Sequence, residues 1–111
     1  MRQIATAVCL LLLPLQAAAD WTRLDGAGIT AALTDRVLDY GAATQDFRPS
    51  GRTLYNAGRD SWGYWDVRDN RYCSQWPPAD GWACYDVDLH SDGRLRFVGD
   101  AGDETVGAYV D

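Results

Sequence analysis

Two of the three cysteines, the single histidine and a scatter of aspartates are the side chains here that could support chemistry. Cys73 and Cys84 are separated by Ser-Gln-Trp-Pro-Pro-Ala-Asp-Gly-Trp-Ala. Redox pairs favour a two-residue spacing beside a helix, and zinc would need two further ligands where His90 is the only histidine. In an exported chain two cysteines on strands joined by a hairpin read instead as a disulfide, worth about 3 kcal/mol for a loop of this length. His90 precedes Ser91-Asp92-Gly93, a turn sequence, which predicts a solvated side chain rather than a general base. No Gly-x-Ser-x-Gly nucleophile motif is present. Asp86, Asp88 and Asp92 lack the glycine and the distal glutamate of a calcium loop, so they read as a solvated strand face. Asp100, Asp103 and Glu104 form a second acidic turn of the same kind. Neighbours such as Arg59-Asp60 and Arg68-Asp69 read as surface charges of little individual worth. The expectation is no catalytic residue, no metal and no cofactor.

The remaining candidates are aromatic. Ser61 to Val87 holds four of the five tryptophans, three of the six tyrosines and both of these cysteines. Around it the apolar period is two, with turn chemistry at short intervals. The strands expected are Arg36 to Tyr40, Thr44 to Phe47, Arg52 to Asn56, Trp62 to Arg68, Arg71 to Trp76, Ala83 to Leu89, Arg94 to Val98 and Thr105 to Val110. Joins such as Pro49-Ser50-Gly51, Asp69-Asn70 and Ser91-Asp92-Gly93 are too short for parallel crossovers, so the sheet is an antiparallel meander. About eight strands would expose two edges unless the sheet closes, which predicts an all-β fold: a small up-and-down barrel or a strongly curved sheet. Ahead of it, Asp25 can cap one short helix whose Ile29, Ala32 and Leu33 share a face and would cover an open end. Alternation places Gly63, Trp65, Val67, Tyr72, Ser74, Trp76, Ala83, Tyr85, Val87 and Leu89 inward. Cys73, Gln75, Cys84, Asp86 and Asp88 then face out, and Trp62, Tyr64 and Trp82 stay near the surface.

The N-terminus is of another kind. Arg2, an apolar run to Leu15 interrupted by Pro14, and Gln16-Ala17-Ala18-Ala19 have the three regions of a secretory signal peptide over residues 1–19. The run is too short to span a membrane. Residues 20–111 then form one small domain in a periplasmic or secreted setting, and loss of Arg2 makes the formal charge more negative than −6. Such a surface disfavours nucleic acid and anionic membranes, which reward clustered positive charge.

Gly63-Tyr64-Trp65-Asp66-Val67, Tyr72-Cys73-Ser74-Gln75-Trp76-Pro77 and Trp82-Ala83-Cys84-Tyr85, with Gly51-Arg52-Thr53-Leu54-Tyr55 before them, resemble a family of small exported bacterial proteins of unknown function with lipocalin-like barrels. The resemblance implies export and a β-meander and brings no catalytic residues. The functional expectation is a non-enzymatic binding or accessory module of the cell envelope, with Trp62, Tyr64 and Trp82 meeting an envelope protein or a glycan. One alternative is a calycin-like carrier of a small apolar or amphipathic ligand, held in a barrel mouth near the helix. Against it, so many large aromatics in a small barrel are expected to fill the interior. A hydrolase with an unrecognised Asp/His site is the second alternative.

Overall fold

The computed structural model describes residues 20–110, so residues 1–19, read above as a signal peptide and holding Cys9, lie outside the described residues. A short strand β1 (Trp21–Arg23) and a helix α1 (Gly26–Leu33) precede eight strands. These are β2 (Arg36–Asp39), β3 (Thr44–Phe47), β4 (Arg52–Asn56), β5 (Asp60–Arg68), β6 (Arg71–Gln75), β7 (Trp82–His90), β8 (Leu95–Val98) and β9 (Glu104–Tyr109). Each of the eight pairs antiparallel with its sequence neighbour, and β9 returns to β2 through Leu38 opposite Tyr109 and Asp39 opposite Ala108. The meander is therefore a closed barrel without free edges between its first and last strands.

Turn chemistry sets the register. Asp69 and Asn70 both adopt positive φ, 50° and 61°, the conformation a two-residue hairpin needs to match strand twist. That hairpin aligns β5 with β6 so that Trp65 faces Ser74 and Val67 faces Tyr72. On the next pair Cys73 stands directly opposite Cys84, and the two form a disulfide.

The helix closes one end. Asp25 accepts from the Gly28 amide at 2.8 Å, and the Asn70 side chain accepts from the Gly26 amide at 2.8 Å, so the β5–β6 turn helps cap α1. Ile29 and Leu33 are fully buried beneath it, packed with Leu38, Phe47, Val87, Leu95 and Phe97. At the other terminus of α1, the Tyr109 hydroxyl donates to the Ala32 carbonyl at 2.8 Å. Tertiary contacts at both ends thus hold a helix whose own propensity is weakened by two glycines.

The strand β1 was not expected from the sequence. Three residues with no alternation to read offer no strand signal, and it exists because the far half of β7 is free to pair: Trp21 opposes His90 and Arg23 opposes Asp88. His90 is accordingly not a turn residue but the last residue of β7, its ring edge-on to Trp21 at 4.7 Å with a side chain only 16 % exposed. Its Nδ1 accepts from the Asp92 amide at 3.0 Å.

The outward aspartates also differ from the solvated face expected. Asp88 is 3 % exposed, held by the Arg23 guanidinium on one side and by Arg96 at 2.8 Å on the other. Arg23 continues to Asp86 at 3.2 Å, Asp86 to Arg71 at 3.3 Å, and Arg71 to Asp100 at 2.8 Å. This ladder of alternating charges ties β1, β6, β7 and β8 together on the outside of the barrel. Register brings Arg23 and Arg96 to opposite sides of Asp88, a juxtaposition that sequence neighbours do not reveal.

Burial works to raise the Asp88 pKa, but the hydrogen bonds and charges of Arg23 and Arg96 outweigh it and hold the carboxyl below its ordinary range. A depressed folded-state pKa contributes stability that is complete above the unfolded value near 4 and is lost as pH falls through the folded one. Unfolding by acid should therefore begin below about pH 4, and Asp88→Asn should flatten stability against pH in that window. At neutral pH the same variant should cost about 1–3 kcal/mol, because it leaves the arginine donors without their charge partner, although Arg23 is half in solvent. Urea midpoints across acidic and neutral pH read both.

Candidate functional site: the tyrosine-lined mouth

Antiparallel alternation puts successive turns at opposite ends of the barrel. With α1 over the end formed by the 48–51 and 69–70 turns, the opposite end is formed by residues 40–43, 57–59, 76–81 and 99–103. There the interior is not filled. A cavity of about 360 Å³ opens between the strand ends. This corrects two expectations: the aromatics do not fill the barrel, and its mouth lies away from the helix.

Two bare backbone positions create the room. Gly63 faces inward on β5, and the Trp76 ring lies against it so closely that a Cβ would meet Trp76 Cε3 at 2.5 Å and the Gln75 carbonyl oxygen at 2.6 Å. Gly107 on β9 takes the Tyr40 ring in the same way, with a Cβ meeting its ring carbons at 2.8 and 2.9 Å. Both rings therefore lie flat along the wall instead of crossing the lumen. Gly63→Ala should push Trp76 off the wall or displace β6, costing about 1–3 kcal/mol as overpacking does. A change in tryptophan fluorescence together with a lower urea midpoint would record it.

The cavity floor is a satisfied polar network. Gln45, 5 % exposed, accepts from the Tyr40 hydroxyl at 2.7 Å and donates to the Tyr72 hydroxyl at 2.9 Å and to Thr53 Oγ1 at 3.0 Å. Thr53 passes its own proton to the Asp46 carbonyl at 2.8 Å. Burying an amide in a barrel this narrow is tolerable because its polar atoms are paired. Burial also pushes the Tyr40 and Tyr72 hydroxyls well above their ordinary pKa, so both remain protonated. Below the floor, Phe47 separates this network from the closed end, edge-on to Trp65 and Tyr72 at 5.7 Å each.

The walls are aromatic. Tyr40 and Tyr55 stack at 6.3 Å, Tyr55 meets Trp76 edge-on at 5.9 Å, and Tyr72 lies 5.9 Å from Tyr85. Ser74 sits behind Trp76 and accepts from its indole at 3.1 Å. Ser61, Asp103 and Thr105 form the rim. A second slot along β7 shares Tyr85 and Asp103 with the mouth and is lined by Arg71 and Asp100, which are already paired.

The residues expected to form an external patch do share one outer face. Tyr64, Gln75 and Trp82 stand in one row across β5, β6 and β7, with Trp62 two residues along from Tyr64. Trp62 and Tyr64 are 40 % and 44 % exposed. Arg52 lies over the Trp62 ring at 4.6 Å, and Arg68 covers Trp82 at 4.0 Å, leaving Trp82 only half-exposed. Trp76 belongs to the mouth.

Sequence reasoning placed Tyr72, Trp76 and Tyr85 inward, but it did not single out Tyr40, Gln45 or Tyr55. The available signal was a pair of inward glycines, Gly63 and Gly107, in strands otherwise rich in large side chains. Among the described residues no group of three or more His, Cys, Asp or Glu side chains is assembled to hold a metal ion, and no helix is long and apolar enough to cross a membrane. Of the protein-family models, curated proteins and solved structures compared with the chain, none matches it.

Proposed function

We propose that the domain is a non-enzymatic binding module of the cell envelope that takes a small amphipathic ligand into the open mouth of the barrel. The observation that carries this reading is the cavity of about 360 Å³, walled by aromatic rings and floored by the Gln45 network. It lies at the lower end of the size of small-molecule sites and has their composition, a mainly aromatic wall with a few fixed polar groups. Polar groups in its lining, the hydroxyls of Ser61, Tyr85 and Thr105 and the Asp103 carboxylate, favour a ligand with a polar end over a plain hydrocarbon tail. His90, the one histidine, stands at the far end of β7 and has no part in this site. Export and membership among small envelope proteins of lipocalin-like build are consistent with the disulfide, which an oxidising compartment maintains.

Equilibrium dialysis of the purified domain against a mixture of small amphipathic fragments, with mass spectrometry of what is retained, tests the reading. Retention should survive Trp62→Ala combined with Trp82→Ala and be lost in Ser61→Trp, which fills the rim from an exposed position. Retention that survives Ser61→Trp and is lost in the outer pair would move the site to the external face. That face is the second reading, an envelope protein or glycan meeting Trp62 and Tyr64, favoured by their exposure and by Arg52 stacked beside them.

A further inference from the structure

We infer that the mouth is selective for a small organic cation, an amine or quaternary ammonium group on a compact body; this rests on the mouth being the ligand site proposed above. Six of its eleven lining residues are aromatic, and Asp103 is the only charged one. No arginine lines it, although the chain has ten arginines and no lysine. Ring faces carry negative potential and attract a cation placed within about 6 Å of the centroid. Walls built from Tyr40, Tyr55, Trp76 and Tyr85 offer several such faces in one small volume, with a carboxylate at the rim.

The floor argues in the same direction. The Gln45 amide protons are engaged by Thr53 and Tyr72, and the Trp76 indole proton by Ser74, so none of these N–H groups is available to an anion. Arg71, the nearest cation in the adjoining slot, is held by Asp100 and Asp86. The hydroxyls of Tyr55 and Tyr85 have no hydrogen-bond partner among the described residues, and their oxygens can accept from an ammonium N–H. The formal charge of −6 adds a field that draws cations toward the molecule, most strongly into a low-dielectric cleft lined by one sign.

Two probes of the same shape isolate the charge: choline, and 3,3-dimethylbutan-1-ol, in which carbon replaces the quaternary nitrogen. Each is titrated calorimetrically into the protein, with the Trp76 indole proton followed by NMR to locate binding. Choline should bind about tenfold more tightly than the alcohol, within the roughly 2- to 30-fold range that one cation–π contact supplies. Asp103→Asn should weaken choline severalfold and leave the alcohol unchanged, and Tyr55→Leu should weaken choline more than the alcohol. Asp103 lies on an exposed turn, so its variant is expected to fold. Equal binding of the two probes with movement of the Trp76 signal would overturn the cation inference and keep the mouth as a site. Failure of both probes to move that signal at millimolar saturation would count against the mouth itself.

Discussion

Replacing Phe47 by alanine is expected to remove about 3–5 kcal/mol of stability, the largest single effect predicted for a substitution in this domain. Phe47 is fully buried and lies at the centre of the barrel, where Trp65, Tyr72 and Phe97 meet it with centroids 5.7, 5.7 and 6.4 Å away. Two of these neighbours are fixed by something else. Trp65 donates its indole proton to the Arg48 carbonyl at 2.9 Å, and Tyr72 is held by Gln45. The walls cannot collapse into the space, so the variant bears the lost transfer energy and the empty volume together. A small domain has roughly 5 kcal/mol to lose, so the variant should lie near its unfolding midpoint at ambient temperature. Thermal unfolding followed by near-ultraviolet circular dichroism gives the answer, and a fall in stability below about 1 kcal/mol would show that the centre is loosely packed.

Removing the disulfide comes next in size. Cys73 and Cys84 are 11 residues apart, and closing a loop of that length restricts the unfolded chain by about 3 kcal/mol. The bond joins β6 to the near half of β7, the half that β8 does not reach, because β8 pairs only from Asp86 onward. The near half thus depends on β6 alone for its ladder. Cys73→Ala combined with Cys84→Ala should lower the urea midpoint while steepening the transition, because the unlinked chain exposes more surface when it unfolds. An unchanged midpoint would mean that the β6–β7 ladder holds itself. Alanine is chosen at 73 because that position is fully buried and would leave a serine hydroxyl in need of a partner.

The parts of this fold that depend on local chemistry could be read from the chain. Alternation placed Tyr85, Val87 and Leu89 inward as found, although Ala83 at the strand's start is exposed; Asp69-Asn70 gave a hairpin, Asp25 the helix cap, and the short joins a meander that closes. The parts that depend on register could not. Whether Asp88 meets water or two guanidiniums is decided by Arg23, which is 65 residues away and arrives on a strand too short to leave a pattern. The cavity was missed for a related reason. Counting large side chains suggests a filled barrel, whereas the two glycines let Trp76 and Tyr40 lie along the wall, and that depends on the order of rings around a closed sheet. Tyr55 and Gln45 follow from that order too, since neither carries a motif.

This division also bears on the external aromatics. Trp62, Tyr64 and Trp82 drew notice because large aromatics near a surface are the usual anchors of an interface. Two of them already have partners within the chain, Trp62 beneath Arg52 and Trp82 beneath Arg68. The mouth tyrosines, spread from Tyr40 to Tyr85 and so not visible as a cluster, form the better enclosed site.

The most direct test uses the indole protons of the five tryptophans as a built-in map. Trp76 reports the mouth, Trp62 and Trp82 the outer face, Trp65 the buried centre and Trp21 the far end beside His90. In an NMR titration with a retained fragment, the Trp76 indole signal should move in proportion to occupancy while those of Trp62, Trp82 and Trp21 stay in place. Movement of the Trp62 and Trp82 signals with Trp76 unmoved would contradict the mouth as the binding site and place recognition on the outside of the barrel.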